Sequence, residues 1–483
     1  MSPLDHKKSL KRDRLIKPLL KFLRSPSPIP GSPSNSRPSS PSHPASSATT
    51  LVSTSSSSAT RPPSLSPSSL CVGSEKELAA IALSARIEEE LGVRLSVDQS
   101  TMLLRRMKWD SKEALKFCEE VLNADEGIVE EVGEMLSGAE NYKGATCYID
   151  SLLFAMFAKT TAFDGMLTST VESPERRRLQ TWVRLFVNQL RSGRLVTCAT
   201  VAQLWDEMRQ SGWHGVDERG EPTQEDSGEL FVFLTTELQS PYLPLGVKLM
   251  HGAKEDVDDN RLVTERLIPL SIPAGHPTIA PDGPLRLEEV LSENFFGNLV
   301  SDVRRMVPQD EKSSVEISVR AWQVLELLPF YSSLNEQGDE VQAYSYQFPD
   351  ESMVLPLCLK RYRYNHQGHS SRIKRQIFVP ASLDFSPFVS GSEDASDTIQ
   401  GYRLELVSVV CHQGESVQAG HYVAYVSDGR GGYWRHDDLD SPRIRPICRE
   451  RDVAAAFVDF SWNAYLLCYA LRRDADRDRN ATA

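Results

Sequence analysis

The apolar spacing of residues 139–471 shifts from a helical period to a strand period, and that order limits the folds open to the chain. Segments 147–158, 174–191 and 200–210 carry apolar residues at helical intervals. Segments 353–362, 402–411, 420–427 and 464–471 alternate as strands do. Helices first and strands later predict an α+β domain rather than a doubly wound sheet. The rest of the sequence falls into smaller pieces. Residues 1–24 hold eight Lys/Arg and two Asp, a net of +6, with Leu15, Ile16, Leu19, Leu20 and Leu23 at helical spacing. Such a stretch reads as a solvated basic arm; it could also touch anionic lipid weakly or act as a nuclear address. Residues 25–70 are mostly Ser, Pro, Thr and Ala without an acidic residue, and cannot bury enough apolar surface to offset their ordering entropy. Residues 1–75 are therefore expected to be a disordered tail, and residues 472–483 a second one.

Residues 76–135 predict a small three-helix bundle. Glu75–Leu91 is one helix, Ser96 caps a second, and Asp110 or Ser111 caps a third after a turn at Trp109-Asp110-Ser111. The run from Leu103 to Asp110, followed by Ala114-Leu115, resembles ubiquitin-associated-like domains over about forty residues.

Charge and cysteine content exclude several classes. The chain of 483 residues has 54 Lys+Arg against 66 Asp+Glu, a net of -12, so nucleic-acid binding is not expected. No window holds 18 consecutive apolar residues, so no transmembrane segment is predicted. The eight cysteines are scattered with no CxxC pair, which argues against a disulfide framework and a thiolate zinc site. A reducing compartment, cytoplasmic or nuclear, fits that usage.

Cys147 stands apart from the other cysteines. It follows Gly144-Ala145-Thr146 and opens the apolar run Tyr148–Phe157, which puts its thiol at a helix N-terminus. There the helix dipole is expected to lower the thiol pKa, and free N–H groups can hold an oxyanion. Of the ten histidines, His366, His369 and His412 lie in polar settings and read as surface residues. His421 sits in the strand pattern Gln418–Val426 directly after Gly420, which permits a bulge or a close backbone approach. Asp428-Gly429-Arg430-Gly431-Gly432 is a turn, and Tyr433–Asp438 a return strand. A hairpin centred on Arg430 puts His421 and Asp437 on one face, one diagonal apart, with Asp438 pointing away unless the register slips. Cys147, His421 and Asp437 then form a nucleophile, a base and its orienter, a set suited to acyl transfer through a thioester.

These local sequences, in this order, resemble the ubiquitin-specific protease family of deubiquitinating cysteine proteases. Gly144–Ser151 is similar to the family's Cys box, Gly-Asn-Thr-Cys-Tyr-Met-Asn-Ser, and Gly420–Val426 to its His box. Gln224–Leu230 resembles a Gln-x-Asp-Ala-x-Glu-Phe box, and Leu355–Tyr362 a Leu-x-Leu-Lys-Arg-Phe strand. Ala464–Tyr469 resembles the closing strand. The resemblance implies a papain-like hand with a helical thumb, a mixed palm and β fingers near 235–350, in a catalytic domain spanning 139–471. It implies that Gln224, Asp226, Gly420 and Tyr422 contact substrate, with Asp226 and Glu229 able to pair with an arginine-rich ubiquitin tail. Lys360-Arg361 reads as structural.

Three departures matter. The family usually places Asn five residues before the cysteine, to complete the oxyanion hole. Position 142 here is Tyr, so either Asn141 serves from a loop one residue longer or a backbone donor must suffice. Losing such a donor costs on the order of 10²–10³ in rate. Asp150 replaces the usual Asn, as in the cylindromatosis-type branch. No cysteine lies between Cys198 and Cys358, so no structural zinc, and no other metal or cofactor, is expected. The expected function is hydrolysis at the C-terminal glycine of ubiquitin, with ubiquitin and ubiquitinated proteins as partners. Asp438 is the alternative third residue. The alternatives are a catalytically weak ubiquitin-binding adaptor that keeps the fold, or a protease for another ubiquitin-like modifier.

Overall fold

A computed structural model of the chain describes residues 17–24, 67–243, 245–251, 254–255, 261–273, 283–310, 313–327, 353–364, 370–389 and 401–473. The chain divides into two compact units, Met1–Leu122 and Asn123–Ala483. Most of the basic arm and the Ser/Pro tract, together with His366, His369 and residues 474–483, lies outside the described residues.

The first unit holds α1 (Lys17–Arg24), α2 (Pro67–Leu91), α3 (Val97–Arg106) and most of α4 (Ser111–Glu126). Helix α2 begins at Pro67, so residues 67–75, expected in the tail, belong to a helix. Ser96 forms a full capping box with Gln99, and Asp110 Oδ1 caps α4 by accepting from the N–H groups of Lys112 and Glu113. Lys108 and Trp109 both take positive φ between α3 and α4, which makes the turn. Helix α1 is ordered rather than a solvated arm. Its Leu19, Phe22 and Leu23 are buried, with the Phe22 ring 4.9 Å from that of Phe117 and the Arg106 guanidinium 4.1 Å from its centroid. Burying such side chains stabilises by about 1.5–3 kcal/mol each, enough to order a short helix that would fray alone.

The second unit opens with the helices α5 (Cys147–Phe157), α6 (Pro174–Arg191), α7 (Cys198–Gln210) and α8 (Ser227–Glu237); α9 (Leu287–Phe296) and α10 (Glu450–Asn463) come later. Every residue of α5 is buried, so it is the central helix rather than an amphipathic one. The strands of the two larger sheets are β1 (Leu245–His251), β2 (Lys254–Glu255), β3 (Arg261–Val263), β4 (Ile268–Ser271), β5 (Asn298–Asp310), β6 (Ser313–Leu327), β7 (Val354–Lys360), β8 (Ser382–Asp384), β9 (Tyr402–Ser416), β10 (Ala419–Ser427), β11 (Tyr433–His436), β12 (Ile444–Ile447) and β13 (Ala464–Arg473). The larger sheet runs β12-β11-β10-β9-β13-β7-β4, with β8 on β9; the smaller runs β2-β1-β6-β5, with β3 on β1. The smaller sheet lies within the stretch expected for β fingers, which also contains α9. Helices preceding a mostly antiparallel sheet are the α+β arrangement that the change of period predicts.

Strand β7 is buried over six consecutive residues, because α9 and α10 share a core with Leu355, Leu357 and Leu359 on one face while Cys358, on the other, lies against Gly228 of α8. Arg361, at the end of β7, is nearly fully buried. It donates to the carbonyls of Ala464, Arg375 and Ser461 at 2.6, 2.9 and 3.1 Å, which ties β7 to the end of α10. The hairpin β10–β11 has the expected register, Ala424 opposite His436 and Ser427 opposite Tyr433. The ladder ends at His436, so Asp437 and Asp438 stand in the turn beyond it.

Candidate active site

Helix α5 packs on β10, which brings the helix start at Cys147 to the strand that carries His421. The loop before the helix is cinched by its own side chains. Asn141 Oδ1 accepts from the Thr146 N–H at 3.0 Å, and Thr146 Oγ1 accepts from the Tyr142 N–H at 2.8 Å. Between them Lys143 and Gly144 take positive φ, 54° and 71°, forming a tight turn that takes up the additional residue between Asn141 and Cys147. Asn141 thus reaches back to the residue that precedes the cysteine, while Tyr142 turns its ring toward Trp205.

On the strand side of the site, His421 and Asp437 are paired. His421 Nε2 stands 2.8 Å from Asp437 Oδ1. The other oxygen of Asp437 receives Arg435 Nη2 at 2.6 Å, and the Leu439 N–H donates to Oδ1 at 3.0 Å. Burial opposes the charge on Asp437, but these donors outweigh it and hold the carboxyl well below its usual range. Burial likewise opposes the His421 cation; the hydrogen bond to Asp437 and the charges of Asp438 and Asp437 prevail, and its pKa rises. Asp438 Oδ1 lies 3.6 Å from the same imidazole nitrogen, beyond hydrogen-bond distance. Of the two aspartates, Asp437 is therefore the one bonded to His421.

The helix side differs. Cys147 is 2% exposed, and burial pushes its thiol up to about 12, with the charges of Asp438 and Asp150 adding to the shift. The N–H groups of Tyr422 and Tyr148 favour the thiolate but do not offset burial. This corrects the expectation of a lowered pKa: the helix dipole is present, and desolvation is larger. The sulfur is paired with Gln224 Oε1 at 3.8 Å, and not with His421.

Beneath the sulfur sits a buried acidic pair. Asp150 is 1% exposed and Asp438 7%. Burial raises Asp438 to about 6 and Asp150 well above the carboxylate range, and a proton between the two carboxyls would form a hydrogen bond. Both oxygens of Asp438 and Oδ1 of Asp150 have no other hydrogen-bond partner among the described residues.

The remaining expected residues are placed as follows. Gln224 reaches the sulfur. Asp226 caps α8, with Oδ1 accepting from Gly228 and Glu229 N–H at 2.6 and 3.2 Å, while Oδ2 accepts from the Tyr465 hydroxyl. Both of its oxygens are thus engaged within the protein, whereas Glu229 is exposed. Gly420 has φ +141°, and a Cβ there would meet Gln413 O at 2.5 Å and His412 Nε2 at 2.9 Å, so only glycine fits this bulge. Tyr422 is buried, its ring stacked 4.2 Å from that of His412. His412 itself is 1% exposed, not on the surface as its polar neighbours suggested; β9 runs on through Gln413 to Ser416 and pairs with β10. Tyr362 and Arg435 join the site without a role expected from the sequence, and His412 joins it against the expectation of a surface position. For Arg435 a signal was there: in β11 it stands two residues before Asp437, within reach of the same carboxylate.

His421, Asp437 and Asp438 offer donor atoms within 4.8 Å of one another, a spacing a metal could use. The arrangement fits a metal poorly: Asp437 Oδ1 is taken by the imidazole and its Oδ2 by a guanidinium. No helix among the described residues is long and apolar enough to cross a membrane.

Comparison with known proteins follows the same residues. Residues 137–469, more than half of the chain, match the family described as "Ubiquitin carboxyl-terminal hydrolase". Among curated relatives, "Ubiquitin carboxyl-terminal hydrolase 44" of Danio rerio is 28% identical over 128 residues, covering 26% of this chain and 17% of that protein. "Ubiquitin carboxyl-terminal hydrolase 36" of Drosophila ananassae is 32% identical over 125 residues, covering 26% and 10%. The matched segments span less than a fifth of either relative's length. Among solved structures, the SAGA Ubp8/Sgf11/Sus1/Sgf73 DUB module bound to ubiquitin aldehyde aligns with TM-score 0.48 at 17% identity, covering 75% of each chain.

Proposed function

This chain belongs to the ubiquitin carboxyl-terminal hydrolase family, and from that membership we propose that it hydrolyses the bond at the C-terminal glycine of ubiquitin, with Cys147 as nucleophile. The observation that carries the reading is the pairing of His421 with Asp437 at 2.8 Å on the strand packed against the start of α5. Asp437 takes Nε2–H, which leaves Nδ1 of His421 as the nitrogen for proton transfer. His421 removes the thiol proton as the sulfur attacks the glycine carbonyl carbon. The tetrahedral oxyanion is held by the N–H of Cys147, which has no intrahelical acceptor, and by Asn141 Nδ2, the end of that amide not bonded to Thr146. His421 returns the proton to the leaving lysine amine as the C–N bond breaks. Water then attacks the thioester, giving its proton to His421, and the thiol is restored. Asp437 stays ionised throughout and stabilises the imidazolium.

In this reading Gln224, Gly420 and Tyr422 lie along the path of the substrate tail. Asp226 acts through the helix it caps, and Glu229, exposed and 3.8 Å from His214 Nε2, is the carboxylate placed to meet an arginine of that tail. Ubiquitinated proteins of the cytoplasm or nucleus are the substrates implied. The test is reaction of the purified protein with ubiquitin carrying a C-terminal thiol-reactive group. An adduct on Cys147, absent from Cys147→Ala, supports the proposal. Ubiquitin binding without an adduct would replace it with the adaptor reading. An adduct only with another ubiquitin-like modifier would change the substrate.

A further inference from the structure

The Cys147 thiol is engaged by a chain of polar groups that does not include His421. Its sulfur faces Gln224 Oε1 at 3.8 Å. Gln224 Nε2 lies 3.3 Å from His412 Nε2 and 3.3 Å from the Val417 carbonyl. His412 Nδ1 lies 2.5 Å from the Tyr362 hydroxyl, which is 3.1 Å from the Gly414 carbonyl. One arrangement of protons satisfies every member. The Tyr362 hydroxyl donates to Gly414 O, which also accepts from Arg372 Nη1 at 2.7 Å, and it accepts from His412 Nδ1–H. His412 Nε2 is then a lone pair and accepts from Gln224 Nε2–H, while the second amide hydrogen goes to Val417 O. The reversed amide would set two carbonyl oxygens against each other at Val417. Gln224 must therefore present its oxygen to the sulfur.

An oxygen acceptor stabilises S–H and repels S⁻. The imidazole that fixes this orientation is buried beneath Tyr422, and burial lowers its pKa to about 3, so it stays neutral and able to accept. Gly420 belongs to the same device, since any side chain there would strike His412 Nε2. Resting on the assignment of Cys147 as nucleophile, we propose that Gln224, oriented by His412 and Tyr362, is a latch that keeps the thiol protonated and out of a pairing with His421 until an extended acyl chain draws the amide away. Gln224 and His412 are thus positioning residues: they set the state of the free nucleophile rather than take part in bond making.

The latch is tested without any ubiquitin. The full chain is treated with iodoacetamide at pH 7.5, and the rate of labelling at Cys147 is read by mass spectrometry of its peptide. Gln224→Ala removes the acceptor and is expected to label about five- to tenfold faster, the gain that a thiol pKa lower by nearly one unit gives. Gln224→Glu puts a negative charge at the same place and is expected to label at least fivefold slower, roughly the reverse shift. Opposite signs at one position separate a latch from general loosening, which would speed both. Tyr362→Phe removes the acceptor of His412 Nδ1–H, which favours the other tautomer and a reversed amide; labelling should rise about two- to fivefold. It decides the matter if Gln224→Ala melts early. A folded Gln224→Ala that labels at or below the wild-type rate overturns the proposal. Variants that show the opposite signs in a protein that makes no ubiquitin adduct overturn the ubiquitin reading and leave the latch standing.

Discussion

The two sides of the candidate site are prepared to different degrees. On the strand side, His421, Asp437 and Arg435 form a closed set of charged hydrogen bonds at 2.8 and 2.6 Å. On the helix side, Cys147 is buried, neutral and bonded to Gln224. A charged pair can be held ready because its partners offset the loss of water. A thiolate at 2% exposure has no such partner until His421 is brought to it. The base can thus be assembled in advance, whereas the nucleophile waits for substrate.

The harshest way to break this contrast is to remove each side in turn. Cys147→Ala should lower turnover of a ubiquitin C-terminal substrate by about 10⁴-fold or more, and His421→Ala by a similar factor, since members of one catalytic set are not additive. A double variant no worse than either single one would show that both sides serve one step. Next, Asp437→Asn should cost about 10²–10⁴ in kcat, because the amide cannot hold the required tautomer with the same charge. Asp438→Asn should cost less, since that carboxylate is 3.6 Å from the imidazole. Steady-state kinetics giving the reverse ranking would transfer the orienting role to Asp438.

A smaller effect sharpens the helix side. Because burial holds the thiol up near 12, labelling of Cys147 in the free protein should keep rising from pH 7 through pH 10. A plateau by pH 8 would mean the sulfur is already ionised there. The smallest expected effect concerns the acidic pair. Asp150 and Asp438 have folded pKa values raised above the unfolded ones, so the folded state binds the extra proton. Their effect on stability is therefore absent at low pH, and stability falls as pH rises from about 4 through the folded values. Asp150→Asn removes one of the charges and should stabilise by about 1–3 kcal/mol at pH 8, with no gain at pH 4. Thermal melts at the two pH values would show the gain, and an equal shift at both would refute the buried pair.

How much of this was legible in the sequence depends on distance along the chain. The start of α5 at Cys147 and the register of β10 with β11 follow from local pattern, because a turn and the residues beside it decide them. His421 and Asp437 are separated by one hairpin, so their pairing could be argued from register. Gln224 and His412 are 188 residues apart, and His412 is followed by polar residues that resemble a loop. Nothing local indicates that β9 continues past it or that Tyr422 covers it. The state of the thiol is hidden from the sequence for a related reason. A helix dipole can be read from position, but burial is a property of the assembled core, and here burial is the larger effect. Asp150 shows the same limit: its departure from the usual Asn is visible in the sequence, while its closeness to Asp438 depends on the fold.

The most direct measurement is turnover of ubiquitin bearing a fluorophore amide-linked at its C-terminal glycine, by the wild-type chain and Cys147→Ala in parallel. Saturable release by the wild type and none by the variant is the predicted result. Equal rates in both, or no release by a wild-type protein that still binds ubiquitin, would contradict it.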